Sequence, residues 1–206
     1  MSSPEPRPVL LLDVMDTLVH DPYHREQPAF FGLALDQLQA LKHPTAWIDF
    51  ELGRITEEEF LRRFFRDGRP FDHLAFRQHV AASYRWIDGM EELLAELVAE
   101  GFEAHALSNY PVWYRLIEEK LRLSRYLAWS FVSCRTGVRK PEPASYLGAA
   151  RSLGLYPSQC LVVDDRPANV AGARQSGMAA ILFEGADALR QELDRRGILT
   201  ALQTKS

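Results

Sequence analysis

Apolar positions along this chain change rhythm twice. Val9–Leu12 is a run of consecutive apolar residues with no helical phase. Such a run predicts a strand buried on both faces, as in a parallel sheet. After Asp88-Gly89, short apolar runs alternate with amphipathic stretches. Helices are expected over Met90–Glu100, Val112–Leu123, Pro143–Leu153, Ala168–Ser176 and Asp187–Arg196. Strands are expected over Phe102–Leu107, Ala128–Cys134, Cys160–Val163 and Ala179–Phe183. This alternation implies right-handed crossovers, hence an α/β fold whose parallel sheet carries helices on both faces.

Between the first strand and Gly89 the rhythm is helical throughout. Thr56-Glu57-Glu58-Glu59 has the spacing of a capping box, and Phe60, Leu61, Phe64 and Phe65 follow at helical spacing up to Gly68. Asp72 is placed to cap another helix bearing Leu74, Val80 and Tyr84. Phe30, Phe31, Leu35, Leu38 and Leu41 form an earlier set that His43-Pro44 interrupts. Residues 19–87 are therefore expected to form an all-helical insertion with few contacts at its two connections. Residues 1–18 together with 88–206 are expected to form the sheet-bearing core.

Composition adds mainly exclusions. The formal charge of −4 over 206 residues offers no broad attraction to nucleic acid or to an anionic membrane. No apolar run approaches the roughly 20 residues of a membrane span. Met1–Pro8 lacks the apolar centre of a secretory signal. Cys134 and Cys160 both sit in apolar, strand-like runs, which favours buried thiols over a disulfide and a reducing compartment.

Polar groups gather where the strands end, and ligands of open α/β sheets bind beyond the carboxyl ends of strands. Asp13 follows the first strand, with Asp16 and Thr17 close behind; Ser108-Asn109 ends the second. Lys140-Pro141 precedes the helix after the third, and Asp164-Asp165 ends the fourth, with Asn169 in the next helix. A carboxylate nucleophile, a hydroxyl, a cation and an acidic pair suit phosphoryl transfer. Asp13 would attack phosphorus, and Mg²⁺ held by Asp13 and Asp165 would lessen the repulsion between anions. Ser108 and Lys140 would hold the phosphoryl oxygens.

The order Asp13-x-x-x-Thr17, Ser108-Asn109, Lys140-Pro141, Asp164-Asp165-x-x-x-Asn169 resembles the haloacid dehalogenase-like (HAD) superfamily. The resemblance covers nearly the whole chain and implies a Rossmann-like core with residues 19–87 as its helical cap. It also implies a phosphatase of small phosphate esters, with Mg²⁺ on Asp13, the Met15 backbone carbonyl, Asp164 and Asp165. Asp13-Val14-Met15-Asp16-Thr17-Leu18-Val19-His20-Asp21-Pro22, Lys42-His43-Pro44, Phe71-Asp72 after Asp67-Gly68-Arg69, and Ser108-Asn109-Tyr110-Pro111-x-Trp113-Tyr114 are further similar to flavin mononucleotide (FMN) hydrolases of plastids and cyanobacteria. That closer likeness implies FMN as substrate, in the cytoplasm or in the plastid stroma if a longer precursor is trimmed. Thr17, Asn109, Tyr110 and Trp113 are the candidate substrate contacts, aromatic rings being suited to a flat leaving group.

One position departs from the pattern. Phosphatases of this superfamily carry a second Asp two residues after the nucleophile as general acid and base. Here that residue is Met15, with Asp16 beside it. Asp16, His20 or His24 supplies the proton, or turnover is slow, or catalysis is lost. Two other readings compete with a phosphatase. A 2-haloacid dehalogenase also lacks the second Asp but has no need of an acidic metal pair, and a non-enzymatic binding or scaffold protein has no need of the intact Asp13, Ser108, Lys140 and Asp165.

Overall fold

The computed structural model describes residues 7–199; residues 1–6, which belong to the stretch assessed for targeting signals, and residues 200–206 lie outside them. Five parallel strands form one sheet in the order β3-β2-β1-β4-β5. They are β1 (Val9–Leu12), β2 (Ala104–Ser108), β3 (Ala128–Val132), β4 (Cys160–Asp164) and β5 (Ala179–Leu182). Because β1 pairs with β2 on one side and β4 on the other, its carboxyl end lies at the centre of the sheet edge.

Successive side chains of a strand point to opposite faces, and this sheet buries both. Leu10 and Leu12 of β1, with Leu161 and Val163 of β4, face one apolar cluster. Leu11, Cys160 and Val162 face the other. That two-sided burial explains why the strands read as unbroken apolar runs.

Five short helices separate β1 from the remaining strands: α1 (Glu26–Phe30), α2 (Leu35–Leu41), α3 (Ala46–Glu51), α4 (Glu57–Arg62) and α5 (His73–Ser83). Thr56 accepts a hydrogen bond from Glu59 N–H and Asp72 one from Ala75 N–H, so both N-caps form; the return bond of the expected capping box is not made, the Glu59 carboxylate lying 3.6 Å from Arg63 instead. The helix after Thr56 stops at Arg62, and Phe64 and Phe65 lie beyond it in the connection. After the insertion come α6 (Met90–Ala99), α7 (Tyr114–Leu121), α8 (Ser133–Thr136), α9 (Pro143–Ser152), α10 (Pro167–Gln175) and α11 (Ala186–Arg195). Leu93, Leu97, Leu116, Ile117, Leu189 and Leu193, from α6, α7 and α11, pack in the first cluster. Tyr146, Ala149, Val170 and Ala173, from α9 and α10, fill the second.

Contacts between insertion and core are extensive, contrary to the expectation of few. Where the chain leaves the core and returns, Val19 pairs with Trp86 as an isolated antiparallel bridge. Beyond it, Phe50 stacks on Phe60 with centroids 4.6 Å apart, and Trp113 of the core meets both edge-on at 5.4 and 5.6 Å. The Tyr84 and Tyr110 hydroxyls share a 2.8 Å hydrogen bond across the same boundary. Burial of large rings is favourable wherever it occurs, so short helices with one aromatic face each are stabilised by covering the sheet edge.

Candidate active site

Asp13 is the first residue beyond β1, its N–H bonded to the Val163 carbonyl of β4. Val14 N–H donates to Asp13 Oδ1 at 2.8 Å, fixing the carboxylate at the sheet edge. Lys140 Nζ lies 2.9 Å from Asp13 Oδ1 and 2.5 Å from Asp164 Oδ2, with all three residues buried. A lysine so buried needs its backbone held, and Asn109 holds it: the Asn109 amide accepts from Lys140 N–H and donates to Lys140 C=O, at 2.8 and 2.9 Å. Asn109 therefore positions Lys140, although it also lines the cavity described below.

Asp164 is saturated. Its oxygens accept from Lys140, from both contacts of the Asn169 amide, and from Arg166 N–H. Asp165 is different: its Oδ1 is buried without a partner among the described residues. Carboxylate oxygens of Asp13, Asp164 and Asp165 lie within 4.8 Å of one another. Burial pushes the Asp13 carboxyl up to about 7, against the pull of Lys140, with Asp164 and Asp165 adding to the rise. Asp165 is raised by burial and then by Asp164. Three carboxylates facing one ammonium leave an excess of negative charge at the strand ends, the donor set of a hard divalent cation.

Above Asp13 opens a cavity of about 520 Å³, within the range of about 300–1,000 Å³ typical of small-molecule sites. Asp13, Lys140 and Asn169 line it from the core, and Met15, Asp21, Tyr23, Lys42 and Trp47 from the segment after β1 and the insertion. Glu51, at the end of α3, holds Arg139 with contacts of 2.8 and 3.4 Å on the same wall. Ser108 and Thr17 are buried, each with a hydroxyl lacking a partner among the described residues. Ser108 opens on a second, smaller cavity against α9, with Asn109 and Lys140 lining both.

Two of the aromatic candidates part company here. Tyr110 is buried and lines the cavity, its hydroxyl paired with Tyr84. Trp113 does not line the cavity: it is 1% exposed, ringed by Phe50, Phe60 and Phe76, and its indole N–H donates to Glu57 Oε1 at 2.8 Å. Its expected substrate contact gives way to packing, because α3 and α4 fold over it from some fifty residues away in sequence. Phe30 and Phe31 likewise pack on Phe76 inside the insertion. Asp16 adopts a left-handed backbone with φ of 54°, and its side chain accepts from Asp21 N–H at 3.0 Å and meets His24 Nε2 at 3.3 Å. Cys160 is buried as expected, Cys134 only partly, and both are free thiols.

A family model described as haloacid dehalogenase-like hydrolase matches residues 9–177, most of the chain. The protein belongs to the haloacid dehalogenase-like hydrolases. Flavin mononucleotide hydrolase 1, a chloroplast protein of Arabidopsis thaliana, is 50% identical over 191 residues, covering 93% of this chain and 78% of the relative. Among solved structures, a HAD-family enzyme of Bacteroides thetaiotaomicron in complex with magnesium and inorganic phosphate shares the fold at TM-score 0.72 and 17% identity, covering 87% of this chain and 96% of that one. L-2-haloacid dehalogenase of Xanthobacter autotrophicus, with chloropropionic acid covalently bound, shares it at TM-score 0.64 and 17% identity, covering 94% and 85%.

In this HAD-like hydrolase the strand-end residues assemble where the motif spacing placed them. The sequence reading missed the upper wall of the cavity as a site: Asp21, Lys42, Trp47, Glu51 and Arg139. Asp21 and Lys42-His43-Pro44 stood out only by likeness, and the others sit at helix ends and in loops, where no strand register marks them.

Proposed function

We propose that this protein is a magnesium-dependent phosphatase that hydrolyses FMN to riboflavin and phosphate through a phosphoryl group carried on Asp13. The observation that carries the reading is the buried Asp13–Lys140–Asp164 cluster opening directly into a chamber walled by Tyr23, Trp47 and Lys42. The Arabidopsis FMN hydrolase, alike over nearly the whole chain, supports the choice of ester. That relative's chloroplast address supports the plastid stroma over the cytoplasm as the compartment.

The residues present fit Mg²⁺. Asp13, Asp165 with its unpartnered oxygen, and the Met15 backbone carbonyl would hold the ion, with Asp164 and Asn169 steadying the cluster from behind. When bound, the ion supplies positive charge that lets a carboxylate approach a phosphate anion. Lys140 holds the Asp13 carboxylate in place and offsets charge gathering on the phosphoryl oxygens. The Ser108 and Thr17 hydroxyls are without partners among the described residues; Ser108 faces the smaller cavity that Lys140 also lines, and the two are the donors left for those oxygens. Tyr23 and Trp47 offer ring faces to the flavin. The acidic pair Asp164-Asp165 is what the dehalogenase alternative leaves without a task.

The test is phosphate release from FMN by purified protein. Release should require Mg²⁺, stop on chelation, and fall at least about a thousandfold in Asp13→Asn, the range for losing a covalent nucleophile. Turnover within a few-fold of wild type in that variant would sink the mechanism. Cleavage of aryl phosphates but not FMN would reassign the substrate.

A further inference from the structure

We propose that Asp21 is the acid and base of this site, giving a proton to the departing ester oxygen and later taking one from water. The proposal rests on the phosphatase reading above and goes beyond it, because the residue two places after Asp13 is Met15, whose thioether can do neither job.

Asp21 lines the same cavity as Asp13, Met15 and Lys140. One of its oxygens accepts from Tyr23 N–H at 2.9 Å, while the other carries no hydrogen bond or ion pair among the described residues and is not closed off in the interior. Asp16, the obvious substitute by sequence, does not line the cavity and is committed elsewhere. Its left-handed backbone turns the side chain toward the Asp21 N–H and His24, so Asp16 braces the turn that presents Asp21. His24 is exposed and occupied by Asp16. His20 does not line the cavity.

The surroundings agree. Burial pushes the Asp21 carboxyl up to about 6; the Tyr23 N–H, His24 and Arg166 pull it down, and Asp16 pushes it up. Lys42, Tyr84 and Tyr110 are the other titratable groups that feel its charge. A carboxyl titrating near neutrality suits a group that works in both protonation states.

The steps balance. Asp13 Oδ forms a bond to phosphorus as the P–O(ester) bond breaks, and the leaving oxygen takes the Asp21 proton. Water then attacks phosphorus, its proton passes to the Asp21 carboxylate, and the P–O(Asp13) bond breaks. Asp13 and protonated Asp21 are regenerated and inorganic phosphate departs.

The deciding experiment compares nitrophenyl phosphate with FMN in Asp21→Asn, under Mg²⁺, by rapid mixing and steady state, with thermal unfolding to verify the fold. Nitrophenolate leaves without a proton, so D21N should release it in a burst matching the enzyme concentration and near the wild-type rate. Steady turnover should then fall by about 10²–10⁴, the usual contribution of general acid–base help. Riboflavin leaves as a basic alkoxide, so its single-turnover release should fall by the same range with no burst. Single-turnover FMN rates within a few-fold of wild type would overturn the proposal. So would equal loss of the nitrophenolate burst and of FMN cleavage, which marks a structural role. If the wild type releases nitrophenol but no riboflavin, the FMN reading falls alone; phenyl phosphate, with its poorer leaving group, then replaces FMN in the same comparison. Release from no ester at all would overturn both.

Discussion

Lys42 brings a positive charge into a wall of rings. Its Nζ lies 4.6 Å from the Tyr23 centroid, 5.1 Å from Phe64 and 5.6 Å from Trp47, and no carboxylate pairs with it among the described residues. Burial pushes its amine down to about 8, with Asp21 opposing. Since the unfolded value lies higher, near 10.5, charging Lys42 opposes folding fully below about pH 8, and the penalty fades as pH rises toward the unfolded value. Lys42→Met should therefore stabilise the protein at pH 7 in denaturant melts, with the gain shrinking above pH 8. The same variant should raise KM for FMN about tenfold, one charge-assisted contact's worth, and raise that for nitrophenyl phosphate less. A destabilising charge kept in the cavity wall is what a residue retained for the ligand looks like; unchanged KM for FMN would refute that use.

At the scale of elements, α3 ends on the core. Ser133 donates to Glu51 C=O at 2.8 Å, Glu51 holds Arg139, and the following turn passes Gly53, at φ 68°, against α8. A Cβ on Gly53 would stand 2.4 Å from the Cys134 carbonyl oxygen, a backbone atom with no room to yield. Gly53→Ala should cost about 2–3 kcal/mol by combined strain and overpacking, measured by urea unfolding. It should also slow FMN more than nitrophenyl phosphate, because it displaces the helix that carries Trp47. The five strands and the longer helices of the core were legible to within a residue or two, since two-sided burial leaves unbroken apolar runs and Gly101 stops α6 where expected; short α8 was not, and its Ser133 and Cys134 were read as the end of β3. The strand-end groups were legible for the same reason, position along a strand being position at the sheet edge. Trp113 was misjudged because adjacency to Ser108 places it near the site, whereas its burial is decided by Phe50 and Phe60 of the distant insertion. Asp21 and Lys42 carry no periodic mark at all.

For the whole molecule, the expectation of few contacts across the two connections of the insertion gives way to one continuous apolar cluster that includes Phe50, Phe60, Phe76 and Trp113 along with Leu10, Leu12 and Leu93. Unfolding should therefore be one cooperative transition, with the calorimetric and van't Hoff enthalpies equal. Trp113→Ala should lower stability by about 3–5 kcal/mol without splitting that transition in two; a separate, earlier melting of the insertion would contradict the shared cluster. Phe50 and Phe60, which help close Trp113 in, are neighbours of Trp47, which lines the chamber. Appetite and sturdiness are thus inherited together in this chain. A lineage drifting toward a new phosphate ester must disturb rings that keep the molecule folded, so variants selected for a changed diet should melt earlier and gather compensating changes far from the phosphate.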